Sequence, residues 1–312
     1  MVVVFFGTPQ FAVPTLRLLT ESRHRVSGVV TQPDRPRGRG QKVTDAPVKV
    51  LALERGLPLI QPDRLKDRVV ADTLRAWTPD IGVVAAYGRL IPESLLAIPR
   101  YGMINVHASL LPKYRGAAPV HRAVIDGEPV TGVTIMRVAN QLDTGNMFAS
   151  ASRPIDPAET SERVEADLAE LGARLLLEVL DAIEAGTAVE HPQDHAIATY
   201  AAKISREDGV IDWTLSPTQI HNRVRGLYPW PHAFTYLDGT RIIVLGTHPE
   251  PEVTSAAPGT IVDVTRDALH VATGGGGRLA IDHLQPEGKR AMRVREYLAG
   301  RPITPGARFA TQ

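Results

Sequence analysis

The 312-residue sequence contains no cysteine. A disulfide framework, a thiol nucleophile, an iron–sulfur cluster and a thiolate zinc site are excluded together, and the cytoplasm is the natural compartment to expect. Net charge is also nearly absent: 35 Lys and Arg stand against 34 Asp and Glu, a formal +1. So small a balance argues against a wholly electrostatic, histone-like nucleic-acid binder, and any basic surface has to be local. No run approaches the roughly 18 apolar residues that a membrane span needs. The apolar opening MVVVFFGTPQF lacks the basic flank and small-residue cleavage site of a secretion signal, so no membrane partner is expected. HExxH, GxGxxG and GxxxxGK[ST] are missing too, and no metal is expected.

Hydrophobic residues make up 43% of the chain and charged residues 22%, over a length that suits two domains of roughly 100–200 residues each. Val2 to Phe6 is β-branched and aromatic and ends at Gly7-Thr8-Pro9; Phe11, Val13, Leu16, Leu18 and Leu19 follow at helical spacing. That is strand, tight loop, helix. The pattern recurs, with strands expected at 25–31, 58–60 and 81–86 and helices at 46–55 and 69–77. Such alternation predicts an α/β class: a Rossmann-like, mostly parallel sheet covered on both faces. Residues 81–86, IGVVAA, are apolar throughout, as a doubly buried strand should be, whereas MINVH at 103–107 has polar residues intruding. One long amphipathic helix is predicted over 161–185, closed by Gly186. The stretch 190–208 is polar and reads as a linker. Beyond it, short runs at 234–236, 241–245, 260–264, 269–272 and 279–284, parted by Gly and Pro turns, predict a small OB-like β-barrel. The expected domains are 1–189, a catalytic α/β domain, and 209–312, a barrel, with 190–208 between them.

Two basic stretches stand out. DRPRGRGQK at 34–42 sets Arg35, Arg37, Arg39 and Lys42 against Asp34 alone, and guanidinium groups on a Gly- and Pro-rich loop suit phosphate contact as readily as they suit a solvated surface. Lys289, Arg290, Arg293, Arg295, Arg301 and Arg308 form a second cluster against Glu296 alone. One cluster per domain could line one acidic polymer. The Gly7-Thr8-Pro9 turn could hold an anion on helix amides, but Pro9 removes a donor and a structural turn accounts for it.

The constellation with most chemistry is Asn105 and His107, followed by Asp143 in Leu142-Asp-Thr-Gly145. Two residues apart on a strand, Asn105 and His107 project from the same face, and the carboxyl edge of a parallel sheet is where ligands bind. Asp143 could orient the imidazole and fix its tautomer, and Asn105 could donate to a developing oxyanion. The same trio also fits a hydrogen-bonded polar cluster at a strand end.

INVHASLLPKYRG at 104–116, GAAPVHRAVIDGEPVTGVTIM to Met136 and LDTG at 142–145 closely resemble the folate-dependent formyltransferases. TQPDRPRGRGQK at 31–42, AAYGRLIP at 85–92, IDW at 211–213 and LQPEGKRAM at 284–292 narrow the resemblance to the branch that formylates the methionine carried by initiator tRNA. The resemblance covers nearly the whole chain. It implies transfer of the formyl group of 10-formyltetrahydrofolate, a co-substrate, to the α-amino group of methionine on initiator tRNA, with no covalent enzyme intermediate. It further implies Asn105, His107 and Asp143 as the catalytic trio. Ser109, Leu110, Leu111 and Pro112 would bind folate, with Tyr87 and Gly88 as an adjacent pocket wall. Arg35, Arg37, Arg39 and Lys42 would contact the tRNA acceptor end, Lys289, Arg290 and Arg293 would hold tRNA from the barrel, and a monomer is implied. A formyltransferase or 10-formyltetrahydrofolate hydrolase acting on a small amine or on water is the alternative within enzymes.

Overall fold

A computed structural model of the chain describes residues 1–37 and 42–310, with backbone alone at 35–37 and 42–43. The described chain forms two compact units, one of Met1–Pro119, Val130–Pro154 and Glu165–Ala201, the other of Val120–Pro129, Ile155–Val164 and Ala202–Gln312.

The first unit holds strands β1 (Val2–Gly7), β2 (Arg25–Val30), β3 (Arg35–Arg37), β4 (Lys42–Thr44), β5 (Leu59–Ile60), β6 (Ile81–Ala85), β7 (Met103–His107), β8 (Arg115–Gly116), β9 (Val130–Arg137), β10 (Met147–Pro154) and β11 (Tyr200–Ala201). Seven of these make one sheet in the order β10-β9-β7-β6-β1-β2-β5. The five strands from β5 to β7 run parallel; β9 and β10 are antiparallel at one edge. This is the mostly parallel α/β sheet that alternating strands and helices predict. All five residues of β6 are buried, matching its uniformly apolar sequence.

Helices α1 (Val13–Glu21), α2 (Pro47–Glu54), α3 (Arg68–Ala76), α4 (Glu93–Leu96) and α6 (Ser161–Ala185) surround that sheet, α5 (Pro119–Ile125) lying between them in sequence. Val70, Leu74 and Leu95 from α3 and α4 close a core over Val4, Phe6, Val84 and Met103. Where α6 crosses β7 and β9 its residue is Gly172, because a Cβ there would come within 2.6 Å of Val106 Cγ1. Val106 therefore faces α6, and its neighbours Asn105 and His107 face the opposite side of the sheet.

The second unit carries α7 (Pro217–Gly226), α8 (Val294–Gly300) and strands β12 (Ala233–Leu237), β13 (Thr240–Val253), β14 (Ile261–Val264), β15 (Leu269–Ala272), β16 (Gly277–Pro286) and β17 (Met292–Arg293). They form an antiparallel sheet in the order β12-β13-β16-β15-β14, with β17 against β16. Helix α7 starts at a capping box, Ser216 Oγ accepting from Gln219 N while Gln219 Oε1 accepts from Ser216 N. The two stretches that join this unit from earlier in the chain are tied by polar bonds. His121 Nδ1 lies 2.7 Å from the Gly226 carbonyl, Arg122 pairs with Asp208 at 2.9 Å, and the buried Arg225 donates to the carbonyls of Asp156 and Glu159.

The stretch 190–208 does more than link. Thr199 accepts from Tyr114 N through its hydroxyl and from Arg115 N through its carbonyl, and β11 pairs with β8. Most of its polar residues face water, but Gln193 is buried, and Thr199 bonds the loop after β7.

Candidate active site

Strand β7 ends at His107, which is 5% exposed. His107 Nε2 lies 3.0 Å from the Tyr114 carbonyl oxygen. A carbonyl can only accept, so Nε2 carries a proton, and whenever the ring is neutral Nδ1 is bare. Nδ1 faces Asp143 Oδ2 at 3.7 Å, beyond hydrogen-bond range. The expectation that Asp143 fixes the tautomer is therefore corrected: the Tyr114 backbone does so, and Asp143 stands where it would meet a proton on Nδ1 once the ring accepts one. Asp143 Oδ2 itself accepts from Gly116 N at 2.8 Å. Asn105 is half-buried, and its side-chain amide has no hydrogen-bond partner among the described residues.

The surrounding backbone is strained. Ala86, Tyr114 and Asp143 have φ values of +45°, +59° and +53°. Left-handed conformations at non-glycine residues cost on the order of 1–3 kcal/mol and persist where the surroundings over-determine them. Here the surroundings are visible. Gln193 Nε2 donates to the carbonyls of Asp143 and Gly145 at 2.9 and 2.8 Å, and its Oε1 accepts from Arg115 Nε and Nη2 at 3.0 and 2.6 Å. Gly145 is needed because a Cβ would lie 1.9 Å from the Arg137 carbonyl oxygen.

The Ser109–Pro112 turn is pinned from within. Ser109, 1% exposed, donates to the Lys113 carbonyl at 2.6 Å, so its hydroxyl shapes the turn. Thr134 Oγ1 donates to the Ser109 carbonyl and accepts from Leu111 N. Leu111 is buried, while Leu110 is half-buried and reaches over Gly132 of β9, whose missing Cβ makes room for it.

A cleft of about 400 Å³ opens along the carboxyl ends of β1, β2 and β6, lined among others by Thr8, Gln32, Asp34, Thr44, Tyr87 and Gly88. Strand β6 pairs with β7, so this cleft and His107 share one edge of the sheet. Tyr87 is part of its wall, yet its ring is packed inward, edge-to-face on Phe6 at 5.4 Å, and burial pushes its phenol up. Hydrogen bonding from Lys49 at 2.5 Å and from Gln61 lowers the Asp34 carboxyl from its ordinary value. Arg35, Arg37 and Lys42 lie on the β3–β4 ribbon, which springs from this cleft between Asp34 and Thr44; Arg39 lies outside the described residues.

A free amide, an imidazole with one bare nitrogen and a carboxylate beyond it suit proton movement around a tetrahedral centre. The family model for formyl transferase matches residues 1–180, and that for the formyl transferase C-terminal domain matches 203–302. A methionyl-tRNA formyltransferase of Geotalea uraniireducens is 45% identical over 309 residues, covering 98% of this chain and 97% of its own. The chain belongs to the methionyl-tRNA formyltransferase family. Solved structures agree in fold. WlaRD, a sugar 3N-formyl transferase solved in the presence of dTDP and 5-N-formyl-THF, superposes with a TM-score of 0.67 at 16% identity, covering 93% of this chain and 99% of that one. HypX from Aquifex aeolicus, in complex with tetrahydrofolic acid, gives 0.64 at 18% identity, over 97% of this chain and 48% of its own.

As a member of the methionyl-tRNA formyltransferase family, the chain is a formyl-transferring enzyme. Its second basic cluster is less bare than its sequence. Arg290 pairs with Glu296 at 3.3 Å, Arg293 with Asp282 of the neighbouring strand β16 at 3.0 Å and Arg301 with Asp238 of the β12–β13 turn at 2.9 Å. Lys289 is exposed, and its ammonium has no partner among the described residues. Among the described residues no helix is long and apolar enough to cross a membrane.

Sequence reasoning assigned no role in the candidate site to Tyr114, Arg115, Gln193 or His195. Tyr114 acts through a carbonyl, which every residue has. The cleft side chains Thr8 and Gln32 sit directly after β1 and β2, and strand ends alone could have pointed to them.

Proposed function

We propose that the chain transfers the formyl group of 10-formyltetrahydrofolate to the α-amino group of methionine on initiator tRNA, in the cytoplasm, with Asn105, His107 and Asp143 at the reacting atoms. The observation that carries this reading is the unpartnered Asn105 amide on the same strand face as His107, whose bare Nδ1 looks toward Asp143.

The neutral amine attacks the formyl carbon, a carbon–nitrogen bond forms, and the carbonyl electrons move onto oxygen. Asn105 donates to that oxygen; His107, whose Nδ1 takes a proton from solvent before the step and keeps it throughout, adds a second donor and a positive charge. Asp143 balances the imidazolium and takes the proton that the new amide nitrogen loses, directly or through water. Collapse of the centre breaks the bond to the folate nitrogen, which leaves with a proton. The amine proton is thereby returned to the folate product, and none is gained or lost.

The turn Ser109–Pro112 presents Leu110 to the folate ring. Arg35, Arg37, Arg39 and Lys42, in the basic stretch that follows the cleft residue Asp34 in sequence, contact the acceptor end of tRNA, and Lys289, Arg290 and Arg293 contact its phosphates. The relatives' name and the basic ribbon beside the cleft support tRNA as the acceptor over a small amine. Single-turnover transfer from 10-formyltetrahydrofolate to initiator and elongator Met-tRNA tests this. Fast formylation of the initiator form is expected; folate binding without formylation of either tRNA would transfer the activity to the small-amine alternative.

A further inference from the structure

Residue Gln193 lies in neither stretch matched by the formyl transferase family models, which end at 180 and resume at 203. It is nonetheless 5% exposed and uses its whole side-chain amide inside the site. We infer that Gln193 is a positioning residue for formyl transfer: with Arg115 as its anchor, it holds the Asp143 loop in the left-handed conformation that presents the carboxylate to His107. The inference rests on the assignment of Asp143 to the reacting atoms.

Arg115 is the larger side chain of the pair and is 2% exposed. A buried guanidinium is costly unless its donors are accepted. No carboxylate pairs with it among the described residues. Gln193 Oε1 takes Nε and Nη2, and His195 Nδ1 lies 3.1 Å from Nη2. Arginine is donor-only, so His195 accepts there through a bare Nδ1. With its oxygen committed, the orientation of the Gln193 amide is no longer free: the nitrogen must point the other way, and both its hydrogens go to the carbonyls of Asp143 and Gly145. Those two carbonyls flank Thr144, one on each side. A loop fixed at both points keeps Asp143 at φ +53° and its Oδ2 within 2.8 Å of Gly116 N.

A neutral anchor suits this place better than an acid. Glutamate at 193 would satisfy Arg115 equally well, yet it would set a carboxylate oxygen against two carbonyl oxygens and push the loop away. Glutamine is the side chain that accepts from a cation at one end and donates twice at the other.

The substitution Gln193→Glu isolates the effect, because it keeps the buried cation partnered. The single-turnover rate of formyl transfer to initiator Met-tRNA should fall 10- to 100-fold, as expected for misplacing a reacting group by about 1 Å. Half-saturating concentrations of tRNA and folate should stay within about twofold, and the melting temperature should fall by only about 2–4 °C, because the buried cation stays partnered. Asp143→Ala should be slow on its own, and Gln193→Glu added to it should cost no more than about threefold further, because the two act through one group. Should Gln193→Glu not fold, Gln193→Asn, too short to reach both carbonyls from Arg115, carries the test with a several-fold loss expected. A wild-type rate in the folded variant, or losses that multiply in the double variant, would overturn the inference. A wild-type rate in Asp143→Ala alone would instead overturn the assignment of Asp143, and the inference with it.

Discussion

Asn105, His107 and Asp143 in one unit and Lys289, Arg290 and Arg293 in the other are both assigned to one reaction, and the structure treats them in opposite ways. The first three sit on a strand end and a loop crossed by buried hydrogen bonds, with His107 at 5% exposure and Asp143 bonded to Gly116. The three cations are exposed, on β17 and the turn before it, and two are already ion-paired with neighbours. The difference fits the roles proposed for them. Proton movement needs groups held to fractions of an ångström in a dry place. Phosphate contact needs charge at a surface, and tolerates side chains that exchange partners.

The comparison breaks most visibly at His107. His107→Ala should lower the single-turnover rate by roughly 10²- to 10⁴-fold, and Asn105→Ala by roughly 10²- to 10³-fold, with the tRNA half-saturation concentration little changed; rapid-quench measurement over a tRNA range separates the two parameters. Gly145→Ala tests the loop that carries Asp143. A Cβ 1.9 Å from the Arg137 carbonyl forces a backbone shift, so transfer should slow at least tenfold and unfolding in urea should show about 2 kcal/mol lost.

In the second unit the expected effects are smaller and of another kind. Replacing Lys289, Arg290 and Arg293 with Gln should raise the tRNA half-saturation concentration about three- to tenfold without changing the saturated rate. The slope of log affinity against log salt should fall by about 1, not by the 2 to 3 that three free cations would give, since Glu296 and Asp282 already occupy two of them. Lys289→Gln alone should then account for most of the change.

The smallest effect concerns pH. Burial pushes His221 and His232 below the usual imidazole range; Arg241 adds to this at His232, whereas at His221 the hydrogen bond with the Pro157 carbonyl opposes it. Their folded forms are neutral where the unfolded chain is protonated, so the unfolded state binds more protons and stability falls as pH drops below about 6.5. Melting at pH 5.5 should lie below that at pH 7.5, and His221→Gln should recover about 2 °C of the difference.

The parallel sheet was legible because buried strands are written as unbroken apolar runs, IGVVAA above all, and the long helix over 161–185 because its period is sustained for seven turns. Asn105 and His107 were legible because two polar residues in an otherwise apolar strand call for a reason. Helices α7 and α8 were missed: their polar faces and short lengths gave no sustained period. The support of the site was harder still. Gln193, His195 and Thr199 lie in a polar stretch that composition alone cannot tell from a solvated linker, and their partners, backbone groups and the Arg115 guanidinium, are 48 to 85 residues away. The counterions of the second cluster were hidden for a related reason, since Asp282 and Asp238 join Arg293 and Arg301 only through strand pairing and turns.

The separation of chemistry from tRNA holding is tested most directly by one experiment: the single-turnover rate of formyl transfer as a function of initiator Met-tRNA concentration, for His107→Ala and for the Lys289, Arg290 and Arg293 triple variant side by side. The account predicts a lower plateau at unchanged half-saturation for the first, and an unchanged plateau reached at higher tRNA for the second. A shifted half-saturation in His107→Ala with its plateau intact, or a collapsed plateau in the triple variant, would contradict it.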